Sequence, residues 1–391
     1  MLSSCVRVSL PLWQKLLSVS RPPAPRICGS WNNRGPKNQS TLSHMWSTAS
    51  LWNIECLSRS RRTFTSNAKG TDSSFDKVMP LEQKYVDDAT PEKLLELTAT
   101  YWRRLRCAKP LLLTCNIDKA VECRVVDSVL GTGASCVSSP DPNSLMEKLL
   151  LHKESQGIIG CYINIDSLDP KIGQYKNAFE VMDSCCNAIM VDINIPPEAQ
   201  DTGFSYIDEM LHMVKPQVIR FVNGTWNYVA CMAPEQITPR AQEHTDIARL
   251  HRCDIISQKH KALVIDCDAY PVMMNASEFE GVIFSRSPSI LKKIYGFDVM
   301  TGAIIATMLS ASSSNAMLAC ITSIMGIDYS SAKCADASEG PASLAINFID
   351  KVHRISTSPD TLLDHDSPVR FVKRVHVPVG TPEGPQGNSS D

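Results

Sequence analysis

The feature that narrows the fold most is a regular alternation between Pro91 and Ile355, in which short apolar runs are separated by stretches with helical spacing. The runs Pro110–Cys115, Ala134–Ser138, Gly157–Asn164, Ala188–Ile195, Gln217–Val222, Ala262–Asp266 and Gly281–Phe284 read as strands. Strands covered on both faces are continuously apolar, as in a parallel sheet. Pro91–Arg106, Lys119–Leu130, Ser144–His152, Lys171–Cys186, Tyr206–Lys215 and Arg240–His260 read as helices, and Pro288–Ile355 is largely helical. This order predicts an α/β domain with a mostly parallel sheet. No linker interrupts it, so one domain over 91–357 is expected. Ligands of such sheets bind beyond the carboxyl ends of the strands. Those ends are Thr114–Ile117, Asn164–Ser167, Asp192–Pro197, Val222–Thr225 and Asp266–Tyr270, and they hold few acids and no histidine.

The ends of the chain differ in composition. Residues 1–70 carry ten Lys/Arg and one acid, Glu55, among frequent serines. Arg-rich, Ser-rich and acid-poor is the composition of a mitochondrial transit peptide. An inside-negative potential draws such a segment inward by roughly 2.3 kcal/mol per charge per 100 mV. Arg61-Arg62-Thr63-Phe64-Thr65-Ser66 reads as a processing site. The expected organisation is a transit peptide at 1–65, a flexible lead-in at 66–90, the domain, and an extended or disordered tail at 358–391. The expected location is the mitochondrial matrix. The alternative for the N-terminus is a basic tail that binds nucleic acid or anionic lipid.

Removing residues 1–70 takes ten of 39 basic and one of 41 acidic residues, leaving 29 against 40, or about −11. That charge argues against general nucleic-acid binding, which needs a basic surface. The fifteen cysteines show no C-x-x-C pair and no zinc-spaced cluster, so reduced and mostly buried thiols are expected. The longest apolar stretch, Val299–Ile327, carries five serines, Thr301 and Asn315, and fits a buried helix pair better than a membrane span.

Several segments, in order and at matching spacing, resemble the hydroxyethylthiazole kinases. They are Lys109-Pro110-Leu111 through Gly133-Ala134-Ser135 with Asp141-Pro142, then Ile163–Leu168, Met190-Val191-Asp192 and Lys215–Arg220. Gly296–Ala303 and Gly340–Leu344 with Asp350 complete the set, which covers roughly residues 95–355. The resemblance implies a ribokinase-like three-layer fold and a homotrimer with thiazole sites between subunits. It also implies an ATP- and Mg²⁺-dependent phosphorylation of a thiazole alcohol in thiamine salvage.

The residues that would carry this chemistry are largely replaced. Where the family has Gly-Thr-Gly-Cys at its anion-binding turn, this chain has Met300-Thr301-Gly302-Ala303. Ala303 stands at the catalytic Cys position, and a methyl group neither accepts a proton nor orients a hydroxyl. Thr301 and Gly302 remain as a candidate nucleotide or anion remnant, since a helix start attracts anions. Trp226 of Asn223-Gly224-Thr225-Trp226 replaces the acid of the magnesium-ordering Asn-x-x-Glu motif. The family's glycines and Arg after Asp192 are absent from Ile193–Glu198, and no Arg lies between Asp192 and Arg220. Ser138 replaces a thiazole-contacting Met, Asp166 a glycine, and Asp266 the glycine end of a Val-Thr-Gly strand near ATP.

Asn164, Asp192 and Asp266 are the candidates for a substrate or metal side. For Asp192 the plain alternative is a loop cap, and for Asp266 and Asp268 a solvated strand-end turn. Trp226 and Tyr228 fill the old nucleotide site, face a partner or pack in the core. His251, His260 and His353 are expected on helix surfaces. The first functional reading is a catalytically impaired member of the family, kept as a structural or assembly subunit of a mitochondrial complex such as the ribosome, with no cofactor. The second is an active kinase using ATP and Mg²⁺, in which Asp166, Asp192 or Asp266 replaces the missing acid. The third is a nucleotide or thiazole sensor. Partners would be other mitochondrial proteins or two further copies.

Overall fold

A computed structural model describes residues 91–373, apart from 153–156, 167–175, 197–203, 237–244, 269, 276–279, 286–293 and 367–368. The segments expected to be a transit peptide (1–65) and a lead-in (66–90), and the tail from 374, lie outside the described residues.

The elements run α1 (Pro91–Ala108), β1 (Leu111–Cys115), α2 (Lys119–Gly131), β2 (Ser135–Ser139), α3 (Pro142–His152), β3 (Ile159–Asp166), α4 (Lys176–Cys185) and β4 (Ala188–Asn194). Then come α5 (Phe204–Val214), β5 (Val218–Asn223), α6 (Thr225–Met232), α7 (Asp246–His260), β6 (Leu263–Asp266), β7 (Val272–Asn275) and β8 (Glu280–Phe284). Helices α8 (Phe297–Ala311), α9 (Ala316–Ala335) and α10 (Pro341–Thr357) follow, with a final 3₁₀ turn (Pro359–Asp364) and β9 (Val369–Lys373). The nine described strands form one sheet in the order β2-β1-β3-β4-β5-β6-β7-β8-β9. The pairs from β2 to β6 are parallel, as the alternation predicts. The pairs from β6 to β9 are antiparallel.

Strand periodicity divides the core in two. Side chains alternate across a strand, so Leu112, Tyr162, Met190, Val218 and Ile265 meet α1, α2, α8, α9 and α10 on one face. Leu113, Ile163, Val191, Ile219 and Val264 meet α3, α4, α5, α6 and α7 on the other. The result is a three-layer α/β domain. The long apolar stretch is the buried pair α8–α9, and among the described residues no helix is long and apolar enough to cross a membrane. The twelve described cysteines are free thiols.

Local chemistry sets the helix starts. The Asp118, Thr245 and Asn315 side chains accept from the backbone N–H groups of Ala120, Ala248 and Leu318 in the first turns of α2, α7 and α9. Helix α8 lies so close to β3 that a Cβ on Gly160 would overlap the Ser310 hydroxyl. Gly160→Ala is therefore expected to cost about 1–3 kcal/mol of stability by overpacking, read as a lower midpoint in urea unfolding.

Three expectations change. The domain does not end at 357. The 3₁₀ turn packs on α1 with Leu362 buried, and β9 covers the otherwise open edge of β8. Strand β7 and helix α6 were too short to stand out by period. Of the histidines placed on helix surfaces, only His353 is exposed. His251 is 8% exposed as a residue, and the His260 side chain is 1% exposed.

His260 Nε2 lies 2.8 Å from the Tyr228 hydroxyl and 3.3 Å from Asp208. Burial pushes its pKa down to about 4, against the pull of the Asp208 carboxylate. In the unfolded chain the ring titrates near 6.5. Between those values the unfolded state takes up a proton that the folded state refuses. The contribution of His260 is therefore full above about pH 6.5 and is lost as pH falls toward 4. Denaturant midpoints measured across that window should fall more steeply with acid in the wild type than in His260→Gln.

Candidate functional site

The site begins with a register. Asn164 pairs with Asp192, and Asp192 with Arg220, across β3, β4 and β5. Asp192 and Arg220 stand in one row on the sheet face that carries α8, and Tyr162 reaches the same place. The first turns of α8 lie over them. A Cβ on Gly302 would sit 2.5 Å from Asp192 Oδ2, 2.5 Å from the Tyr162 hydroxyl and 2.8 Å from Arg220 Nη2. Glycine at 302 thus allows the helix to rest directly on a polar cluster.

The cluster is closed on itself. Arg220 donates from Nε to Asp192 Oδ1 at 2.9 Å and from Nη2 to Asp192 Oδ2. Tyr162 donates to Asp192 Oδ2 at 2.6 Å. Arg220 also donates from Nη1 to Thr301 Oγ1 at 3.0 Å and from Nη2 to the Asp298 carbonyl. The Thr301 hydroxyl itself donates to that carbonyl at 2.8 Å. The Asp192 and Arg220 side chains are 0% and 3% exposed. Burial pushes the Tyr162 phenol well up, and the Asp192 charge adds to it, so Tyr162 stays a donor. Burial works against the Arg220 charge, but the adjacent Asp192 carboxylate holds its pKa above the ordinary value. Three donors converging on Asp192 are the arrangement of a buried carboxylate–guanidinium pair.

The turn read as an anion remnant is therefore occupied from within the chain. Thr301 and Gly302 lie in the second turn of α8, four and five residues past Phe297, so their N–H groups are not the free donors of a helix start, and the Thr301 hydroxyl and the Asp298 carbonyl already serve Arg220. A phosphate against Gly302 would meet the Asp192 carboxylate. Met300 and Ala303 are both fully buried core residues of α8. The residues present do not fit a nucleotide phosphate with its magnesium ion at this turn.

Asn164, Asp192 and Asp266 do not form one substrate or metal side. Asp266 pairs with Phe221 and its side chain emerges on the opposite sheet face. It is neither solvated nor open: the residue is 1% exposed and accepts from Arg249 Nη2 at 3.0 Å and from the Asp268 N–H at 3.0 Å. Arg249 in turn stacks over Tyr270, 5.0 Å from the ring centroid. Asn164 belongs to a polar rim at the strand ends. Asn116 donates to its carbonyl at 2.7 Å, and beside it Asn223 donates to Asn194 Oδ1 at 3.0 Å. Tyr228 is a core residue packed edge-on to Phe204 and tilted to Phe221, while Trp226 is half-buried. The reading of the sequence missed Arg220 and Tyr162 as partners of Asp192. Their signal is positional: each lies in the strand next to β4, on the same parity once the register is known.

No protein-family model matches the chain, and no curated protein matches it. Among solved structures, a hydroxyethylthiazole kinase from Pyrococcus horikoshii matches with a TM-score of 0.56 at 16% identity, over 71% of this chain and 100% of that one. The fold is thus ribokinase-like.

Removing one half of a buried pair leaves the other charge stranded. Asp192→Ala should lower stability by about 3–5 kcal/mol in denaturant titrations. The double variant Asp192→Leu with Arg220→Met should recover most of that loss, because an apolar pair of similar volume leaves no unpaired charge.

Proposed function

We propose that this chain is a catalytically impaired relative of the hydroxyethylthiazole kinases, kept in mitochondria as a structural or assembly subunit of a larger complex. The observation that carries the reading is the Asp192–Arg220–Tyr162 cluster. It fills the α8 turn that would otherwise receive a phosphate, and Ala303 lies buried where the resemblance puts a reacting cysteine. Phosphoryl transfer depends on positioned donors and a metal that neutralise charge on the moving group. Here the donors of the turn are consumed internally, and Asp192 and Asp266 are each bound to an arginine. Neither ATP nor Mg²⁺ is required as a cofactor under this reading.

The matrix location rests on the basic, acid-poor segment at 1–70, and the cargo behind it carries about −11. A protein partner with a basic surface complements that charge, and a mitochondrial ribosome or its assembly intermediates would be one complex that offers such proteins. Incubation of the protein with ATP, Mg²⁺ and the hydroxyethylthiazole alcohol should yield no phosphorylated product above the protein-free rate, and robust turnover would overturn the proposal. Purification of the tagged protein from mitochondria should recover a stable heteromeric complex, whereas a lone homotrimer would speak for an enzyme or sensor.

A further inference from the structure

On the face of the sheet away from α8, three consecutive helices bring together an aspartate and two histidines, a residue type that the strand ends lack. Asp208 and His212 lie four residues apart on α5, which places them on one face of that helix. His260, the last residue of α7, enters beside them. One ligand atom from each of the three lies within 4.8 Å of the others. His212 Nε2 is 3.9 Å from Asp208 Oδ2, and His260 Nε2 is 3.3 Å from Asp208 Oδ1. Around a tetrahedral zinc ion with bonds of about 2.0–2.1 Å, ligand atoms are roughly 3.3 Å apart. Small side-chain rotations close the difference.

We propose that Asp208, His212 and His260 form a binding site for a divalent transition-metal ion of the zinc class, with the remaining coordination position left to water. The donor set selects this class. Two imidazole nitrogens and one carboxylate suit zinc and its first-row neighbours, whereas magnesium and calcium prefer oxygen ligands throughout. The surroundings hold the carboxylate in place. Asp208 Oδ1 accepts from the Tyr228 hydroxyl at 2.9 Å and from the Lys259 ammonium at 2.8 Å, so Oδ2 is the oxygen turned toward His212. Such outer partners orient ligands in metal sites. Tyr228 is itself fixed by Phe204 and Phe221.

The site has an entrance. The His212 side chain is 56% exposed and Lys259 28%, while His260 and Asp208 form the inner wall at 1% and 17%. The Lys259 ammonium rides on a flexible four-carbon stem and can swing into water as the ion enters. Because Tyr228 donates to Asp208, His260 Nε2–H donates to the Tyr228 oxygen; on metal binding the ring proton is exchanged through solvent onto Nδ1, Nε2 bonds the ion, and Tyr228 keeps Asp208. A bound ion would tie α5 to α7 across α6, so binding and stability are linked.

The test uses the full-length chain carrying no histidine tag, stripped with chelator and titrated with Zn²⁺ or Co²⁺. Calorimetry should show one ion per chain at micromolar concentration. The melting temperature should rise with Zn²⁺, and the Co²⁺ form should absorb in the visible as a four-coordinate nitrogen–oxygen site. His212→Asn alters an exposed side chain and should leave the metal-free melting temperature unchanged while weakening binding more than roughly ten-fold. Absence of saturable binding would overturn the proposal. So would binding that persists undiminished in both His212→Asn and His260→Gln, which would place the ion on other groups, such as thiols.

Discussion

The carboxylate–guanidinium pair of Asp192 and Arg220 lies under the first turns of α8, and much of the structure is arranged around it. Two charges removed from water are costly, and the cost is met only when every donor and acceptor has a partner. Here the partners come from four elements: Asp192 from β4, Arg220 from β5, Tyr162 from β3, and the Asp298 carbonyl and Thr301 hydroxyl from α8. The helix can approach because residue 302 has no side chain. Farther along the same helix, Gly160 on β3 accommodates Ser310. Close packing of α8 on the sheet and internal neutralisation of its first turns are thus one geometric solution.

That solution has a functional consequence. A helix start over the carboxyl ends of parallel strands is a ready anion site. In this chain the early turns of α8 instead rest on the protein's own Asp192 and its counter-ion Arg220. An incoming phosphate would have to displace a satisfied buried pair, and removing either member strands the other. The polar groups left at the strand ends are mainly neutral amides, those of Asn116, Asn164, Asn194 and Asn223. They offer a hydrogen-bonding rim without the concentrated charge that a triphosphate and its metal require.

Much of the fold was legible because its evidence is local. Continuous apolar runs such as Leu111–Cys115 and Ala188–Ile193 mark buried parallel strands, and the helices between them carry their own period. Strand β9 was missed because Val369–Lys373 follows a proline- and aspartate-rich stretch and pairs with β8, far away in the sequence. The site was less legible for a different reason. Asp192 and Asp266 look equivalent as strand-end acids, yet alternation and register send one toward α8 and the other toward α7. Arg220 stands in the sequence only as the end of the resembling segment Lys215–Arg220, and pairing across β4 and β5 is what sets it beside Asp192. His260 read as a surface residue because helical period alone does not report that Tyr228 and Asp208 pack over it.

The α8 turn is filled from within by Arg220, Asp192 and Tyr162, and the proposed function requires that it hold no nucleotide. The most direct test of that requirement is a calorimetric titration of the purified protein with Mg²⁺–ATP, followed in parallel by the melting temperature. No saturable heat and no thermal shift at millimolar nucleotide are expected. Saturable binding of one nucleotide per chain, lost when Gly302→Val blocks the turn in a variant that still folds, would contradict it.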